Sequence, residues 1–198
     1  NIPRIAINSS DPKLRFLAVQ WIGEENLKEL RANVEKVLAS EPMTGDLFMA
    51  CLASLSMLDG VPPAEFEKAP PVQHVLPIVK DSKRSASLRA IALRMLPSSL
   101  KELDGKLLGE LVASKDEGLR REAVRTLGLS PIPEREALLR TIAADESLDV
   151  NLRADAVAGL APVDQRAKLN EATRDLLLKL VNGKETSLAI EALRSLRS

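Results

Sequence analysis

Residues 119–127 read Leu-Arg-Arg-Glu-Ala-Val-Arg-Thr-Leu. In a helix, positions 1, 5, 6 and 9 of this stretch (Leu119, Ala123, Val124 and Leu127) fall on one face. The same nine-residue pattern recurs as Leu14-Arg15…Ala18-Val19…Ile22, Leu88-Arg89…Ala92-Leu93…Leu96 and Leu152-Arg153…Ala156-Val157…Leu160. Two further copies lack the arginine: Leu47…Cys51-Leu52…Leu55 and Leu188…Ala192-Leu193…Leu196. The copies start at 14, 47, 88, 119, 152 and 188, at intervals of 33, 41, 31, 33 and 36. Such a period is that of a repeat built from two helices, roughly 30 to 47 residues long.

Position 5 is always small (Ala18, Cys51, Ala92, Ala123, Ala156, Ala192), which lets a neighbouring helix approach closely. Three residues before each first leucine stand Asp11, Thr44, Ser85, Asp116, Asp149 and Glu185. The first five suit an N-cap, and Glu185 suits a first turn. Asp11, Asp116 and Asp149 also precede Arg15, Arg120 and Arg153 by four, an acid-then-base order that favours ion pairing.

Between these first helices the apolar spacing predicts second helices. They carry Leu27, Leu30, Val34, Val37 and Leu38; Leu107, Leu108, Leu111 and Val112; Leu138, Leu139 and Ile142; and Leu176, Leu177, Leu180 and Val181, with Gly183 as the stop after the last. The sixth copy supplies a first helix alone. One stretch breaks the rhythm: residues 60–77 hold Pro62, Pro63, Pro70, Pro71 and Pro77, five of the twelve prolines. It is expected to be an irregular insertion with a short helix near Ala64–Lys68, followed by a short second helix. The whole chain, 1–198, reads as one repeat domain with repeats beginning near 11, 44, 85, 116, 149 and 185.

Composition agrees with an all-α chain. Aromatics make up 2% of the residues and tyrosine is absent, so the core must be built from Leu, Ala, Val and Ile. The 28 basic and 28 acidic residues balance, which argues against nucleic acid or an anionic membrane as the partner. No apolar run is long enough to span a bilayer, and the start lacks the apolar stretch of a signal peptide. A chain beginning at Asn1 rather than Met is expected to be an excised piece of a longer polypeptide.

These residues resemble the HEAT-repeat family, whose fold is an α-solenoid. The resemblance implies about five helix pairs plus a terminal helix, curled right-handed, with the second helices lining a concave face. More narrowly, residues 11–22, the stretches Met43-Thr44-Gly45-Asp46-Leu47-Phe48 and Leu58-Asp59-Gly60, and Ala144-Asp145-Glu146-Ser147-Leu148-Asp149 resemble the HEAT segment of the putative membrane-bound dehydrogenase family. Those are large exported proteins of planctomycete-like bacteria that join a propeller, a HEAT region and a c-type cytochrome. That resemblance implies an extracytoplasmic or periplasmic setting and places no catalysis in this segment. The chain has no Cys-x-x-Cys-His for covalent haem.

Chemistry-bearing motifs are sparse. His74 is the only histidine and is expected in a solvated loop of the insertion; Cys51, the only cysteine, is expected as a buried packing thiol. No Gly-rich phosphate loop and no nominable carboxylate pair is present. Lys80, Lys83, Arg84, Arg89 and Arg94 form the densest basic group and read as a solvated repeat junction. Trp21 is expected in the core. No catalytic, cofactor-binding or metal-ligating residue is assigned, no cofactor is implied, and no small-molecule substrate is evident. The expected function is that of a non-catalytic scaffold whose partner is a protein or a neighbouring domain of the same chain. Its surface is expected at Lys28, Arg31, Glu35, Arg135, Arg140, Arg174 and Lys179. Two alternatives are a nucleic-acid-binding protein and a HEAT-type enzyme resembling a glycosylase or lyase.

Overall fold

The computed structural model describes residues 2–40, 42–66, 71–162 and 168–197. The chain divides into two compact units, Asn1–Leu96 and Pro97–Ser198. Among the described residues all regular structure is helical.

In the first unit, α1 (Ile2–Ala6) leads into α2 (Pro12–Glu24), and α3 (Arg31–Leu38) and α4 (Gly45–Leu58) follow. A short α5 (Pro63–Phe66), α6 (Val72–Lys80) and α7 (Ala86–Met95) complete it. The second unit holds α8 (Gly105–Val112), α9 (Glu117–Leu129), α10 (Arg135–Ala144), α11 (Val150–Gly159), α12 (Glu171–Val181) and α13 (Thr186–Arg197). All six first helices of the repeat are therefore present: α2, α4, α7, α9, α11 and α13.

Their starts are set by caps. Thr44, Ser85, Asp116 and Asp149 accept a hydrogen bond from the backbone N–H of Leu47, Leu88, Leu119 and Leu152, at 3.2, 3.2, 2.8 and 3.3 Å. Asp11 accepts from the Lys13 amide at 2.9 Å. Each cap satisfies an amide that the helix cannot pair internally. The aspartates are thus spent on backbone amides and do not form the expected ion pairs with the arginines four residues on.

Two helix ends in the first unit are closed by left-handed residues. Asn26 (φ 51°) and Gly60 (φ 84°) follow the C-caps of α2 and α4. The amides of Leu27 and Val61 bond back to the Ile22 and Ser56 carbonyls, and those of Asn26 and Gly60 to Gly23 and Met57. This is the Schellman closure, in which the last carbonyls find donors. It draws Leu27 out of the expected second helix, which begins with a 3-10 turn at Lys28–Leu30 before α3.

The insertion is shorter than expected. A helix at Pro63–Phe66 matches part of the expected Ala64–Lys68, while Lys68 and Pro70 lie outside the described residues. The second helix α6 starts at Val72, inside the stretch expected to be irregular, and includes Pro77. Pro77 removes one hydrogen bond, toward Gln73, and Gln73 is exposed so that water can take that carbonyl.

Packing follows one rule in both units. Each second helix lies chiefly against the first helix that follows it: α3 on α4, α6 on α7, α8 on α9, α10 on α11 and α12 on α13. Among the described residues that makes five such pairs, and α1 lies against α2. First helices also lie along one another: α2 along α4 in the first unit, α9 along α11 and α11 along α13 in the second. At positions 5 and 6 Ala18, Val19, Cys51, Leu52, Ala92, Leu93, Ala123, Val124, Ala156 and Val157 are all buried, which is the face read from the pattern. Exceptions fall at the two ends: Leu14 at position 1 and Leu193 at position 6 are exposed.

The first helices touch at a repeated point. Gly23, position 10 of its copy, meets Ser54, position 8 of the next: a Cβ on Gly23 would stand 2.9 Å from the Ser54 Cα. In the second unit Gly128 and Gly159 occupy the same two positions, and a Cβ on Gly159 would stand 3.0 Å from the Gly128 Cα. At the next such point Ser195, position 8 of the sixth copy, donates to the Val157 carbonyl at 3.0 Å.

Candidate interaction surface

The arginine at position 2 of the pattern is the clearest chemical signal in the sequence, and in two of its four copies it closes a helix end. Arg89 Nε donates to the Val79 carbonyl at 2.9 Å, and Arg153 Nε donates to the Ala143 carbonyl at 3.1 Å. Each closes the last turn of the second helix before it, where carbonyls are left unpaired and a cation is favoured. Arg15 reaches Ser40 instead, at 3.4 Å. Arg84 closes α3 in the same manner by donating to the Ala39 carbonyl, and it pairs with Asp81 at 3.5 Å. Of the basic group at 80–94, Arg84 and Arg89 are thus tied into helix ends, and Lys80, Lys83 and Arg94 are exposed.

The seven residues expected on the surface meet different fates. Lys28, Glu35, Arg174 and Lys179 are exposed. Arg31 sits in a polar network across α3, the end of α4 and α6. Its Nε meets Glu35 at 3.0 Å and its Nη1 meets Asp59 at 2.6 Å, while the other Asp59 oxygen lies 3.0 Å from His74 Nε2. The hydrogen bond from Arg31 is the main cause holding the Asp59 carboxyl below its ordinary range, and that from His74 adds to it. His74 is therefore not a solvated loop residue: it lies in α6, with its side chain only 15% exposed.

Arg140 joins α10 to α12. Its Nη1 donates to Asn170 Oδ1 at 3.2 Å and Thr173 Oγ1 at 3.1 Å, and lies 3.6 Å from Glu136. Thr173 is fully buried and its hydroxyl donates to Glu136. Arg135 points inward: Nε donates to the Gly128 carbonyl at 2.9 Å, and Nη2 to the carbonyls of Gly159 and, at 2.8 Å, Ala161. It closes the ends of α9 and α11 at the glycine contact. Burial pulls its pKa below the ordinary arginine value, with Glu136 opposing. Of the seven, Arg31 with Glu35 and Arg140 thus anchor one polar network in each unit, while Arg135 is turned onto the helix ends.

Cys51 is fully buried, and that burial pushes its thiol up to about 12 against the opposing charge of Arg15. Among the described residues no group of three or more His, Cys, Asp or Glu is placed to hold a metal ion, and no helix is long and apolar enough to cross a membrane.

Trp21 departs from expectation: it is 43% exposed rather than core. It stands at position 8, the face that in later copies meets the preceding first helix, and only the five-residue α1 precedes it. The apolar side chains exposed with it on α1 and α2 (Ile2, Ile5, Leu14 and Leu17) were not legible as a surface in the sequence. The register that buries them elsewhere is the same register that exposes them here.

An all-α helical-repeat protein is the class these helices define. No protein-family model matches the chain, and no curated protein does. Among solved structures it is similar to two engineered proteins from the Northeast Structural Genomics Consortium. Both are 15% identical, with TM-scores of 0.47 and 0.49; they cover 99% and 100% of this chain, which covers 95% and 97% of theirs. A designed armadillo repeat protein is also 15% identical, with a TM-score of 0.49, 100% of this chain covered and 99% of the other. At these values the assignment rests on the helices and register of this chain itself.

Proposed function

We propose that this chain is a non-catalytic scaffold that binds a protein, or a neighbouring domain, through the solvent face of its second helices. One observation supports the reading. In the first unit exposed Glu35 belongs to the Arg31–Asp59–His74 network, with exposed Lys28 three residues before Arg31; in the second, exposed Arg174 and Lys179 stand on α12, which carries Thr173 of the Arg140–Glu136–Thr173 network. Each network ties neighbouring helices together, so charged side chains are presented from a pre-ordered base, which lowers the entropy lost on binding. The test is capture from a lysate of the source organism, comparing the native chain with the triple variant K28E, R174E and K179E, checked for folding by circular dichroism. A protein retained by the native chain and lost by the variant supports the reading; equal recovery by both removes this surface from it.

The nucleic-acid alternative is tested by anisotropy of labelled duplex DNA. A salt-dependent rise would support it, and no rise at low salt would end it. Two finer parts of the proposal stand on the sequence alone. Residues 1–198 would unfold as one domain, seen as a single calorimetric transition with equal calorimetric and van't Hoff enthalpies. The segment would belong to an exported redox protein, which requires a propeller upstream and a Cys-x-x-Cys-His downstream in the coding sequence; no family or curated match bears on that resemblance.

A further inference from the structure

The turn between α12 and α13 reads Val181-Asn182-Gly183-Lys184. Of the seven asparagines in the chain, Asn182 is the only one followed by glycine. Asparagine is a chemically labile residue, and glycine after it removes the steric guard. With no side chain beside it, the glycine amide nitrogen reaches the asparagine side-chain carbonyl unhindered.

Asn182 and Gly183 are both exposed. That exposure belongs to the turn itself. Residues 113–116 and 145–149, the same turn in the two preceding repeats, are largely exposed too, although a further repeat follows each. Two hydrogen bonds hold the pair in place. Asn182 is the C-cap of α12, with φ −88° and ψ 4°, and its Nδ2 donates to the Leu178 carbonyl at 2.8 Å. The Gly183 amide donates to the Leu180 carbonyl at 3.0 Å. The attacking nitrogen and the departing amide are thus both tied to the last turn of α12, and both are freed when that turn opens. Leu178 and Lys179 in that turn are exposed, and exposed helix ends are among the first parts of a fold to open.

We propose that Asn182–Gly183 is a self-modification site, which reacts when the last turn of α12 frays and whose product keeps that turn open. The Gly183 nitrogen attacks Cγ of Asn182. A C–N bond forms, the Cγ–Nδ2 bond breaks, and ammonia leaves carrying the glycine amide proton. The result is a cyclic imide. Water then adds to one of the two imide carbonyls and opens the ring, giving an aspartyl or an isoaspartyl residue at position 182; nothing is oxidised or reduced. Either product is a carboxylate at the C-terminal end of a helix, where the dipole favours cations. Neither has an N–H to return to the Leu178 carbonyl from its side chain. The isoaspartyl form also lengthens the backbone by one carbon. Lys179 of the proposed binding surface lies in this turn, but the modification stands independently of that surface.

Incubation of the full chain at mildly alkaline pH, beside a synthetic peptide of residues 179–187, tests this. Peptide mass spectrometry follows the gain of one mass unit at position 182. The native chain is expected to react more slowly than the peptide by about tenfold to a hundredfold, the cost of opening two hydrogen bonds. Even at the hundredfold limit several per cent of the chain reacts within about ten peptide half-times, so no product at position 182 by then overturns the proposal. A native rate equal to that of the peptide overturns the guarding role of the two bonds. Amide hydrogen exchange reads the consequence. In the aged chain and in N182D, exchange across residues 178–183 is expected to be about tenfold faster than in the fresh native chain, with α9 and α11 unchanged. Unchanged exchange in both overturns the claim that the product keeps the turn open.

Discussion

The glycine contact between α9 and α11 makes a prediction whose sign depends on packing alone. Gly109 and Gly159 are both helical, and replacing a helical glycine by alanine gains roughly 0.5–1 kcal/mol from backbone propensity. At Gly109 the new Cβ has nothing within 4 Å, so the gain stands. At Gly159 the Cβ would lie 3.0 Å from the Gly128 Cα and 3.2 and 3.3 Å from the two Leu139 methyl carbons. Carbon pairs rest at about 3.5–4.0 Å, so the helices must separate by roughly half an ångström. Overpacking of this kind costs about 1–3 kcal/mol, which leaves G159A destabilised by roughly 1 kcal/mol net, and by about 2.5 kcal/mol at most. With about 2–4 °C per kcal/mol for a chain of this size, thermal melts should show G109A a few degrees above the native protein and G159A a few degrees below. If both variants melt higher, the close approach of α9 and α11 at Gly128 and Gly159 is wrong.

Arg135→Ala removes donors from three carbonyls at the ends of α9 and α11 and should cost about 2–3 kcal/mol in chemical denaturation, with Arg135→Lys recovering only part. Ala123→Phe places a ring on a fully buried position and should cost about 1–3 kcal/mol; an unchanged melting midpoint would contradict the assigned face. Asp59 has a carboxyl pKa depressed in the fold, so its stabilisation is present above its unfolded value of about 4 and is lost as pH falls through the folded value. The stability difference between native and D59N should therefore shrink below about pH 4, and a constant difference would exclude the ion pair as its source. Cys51, with its thiol pushed up to about 12 and its side chain buried, should resist a thiol reagent at pH 8 until denaturant is added; rapid labelling of the native chain would refute that burial.

The sequence by itself determined the six first helices, their caps and their buried stripe. Those features are local: a cap needs an oxygen three residues before an amide, and a stripe needs only the helical period, so Leu119, Ala123, Val124 and Leu127 declare themselves in nine residues. It also placed Cys51 correctly, because position 5 is small wherever the pattern occurs. Tertiary structure decided what each face meets. Trp21 and Leu14 look like core by spacing, yet they are exposed: at position 8 Ser54 and Gly159 are covered by a neighbouring first helix, and Trp21 is not covered by the short α1. The pairing of each second helix with the following first helix was equally invisible, since a periodic stripe shows that a helix is covered and not by which neighbour. The surface was legible only in part for the same reason. Arg31, Arg135 and Arg140 have the same chemistry in the sequence, and the distances to Asp59, to the Gly128 and Ala161 carbonyls and to Thr173, which exist only once the helices are stacked, assign each a different role.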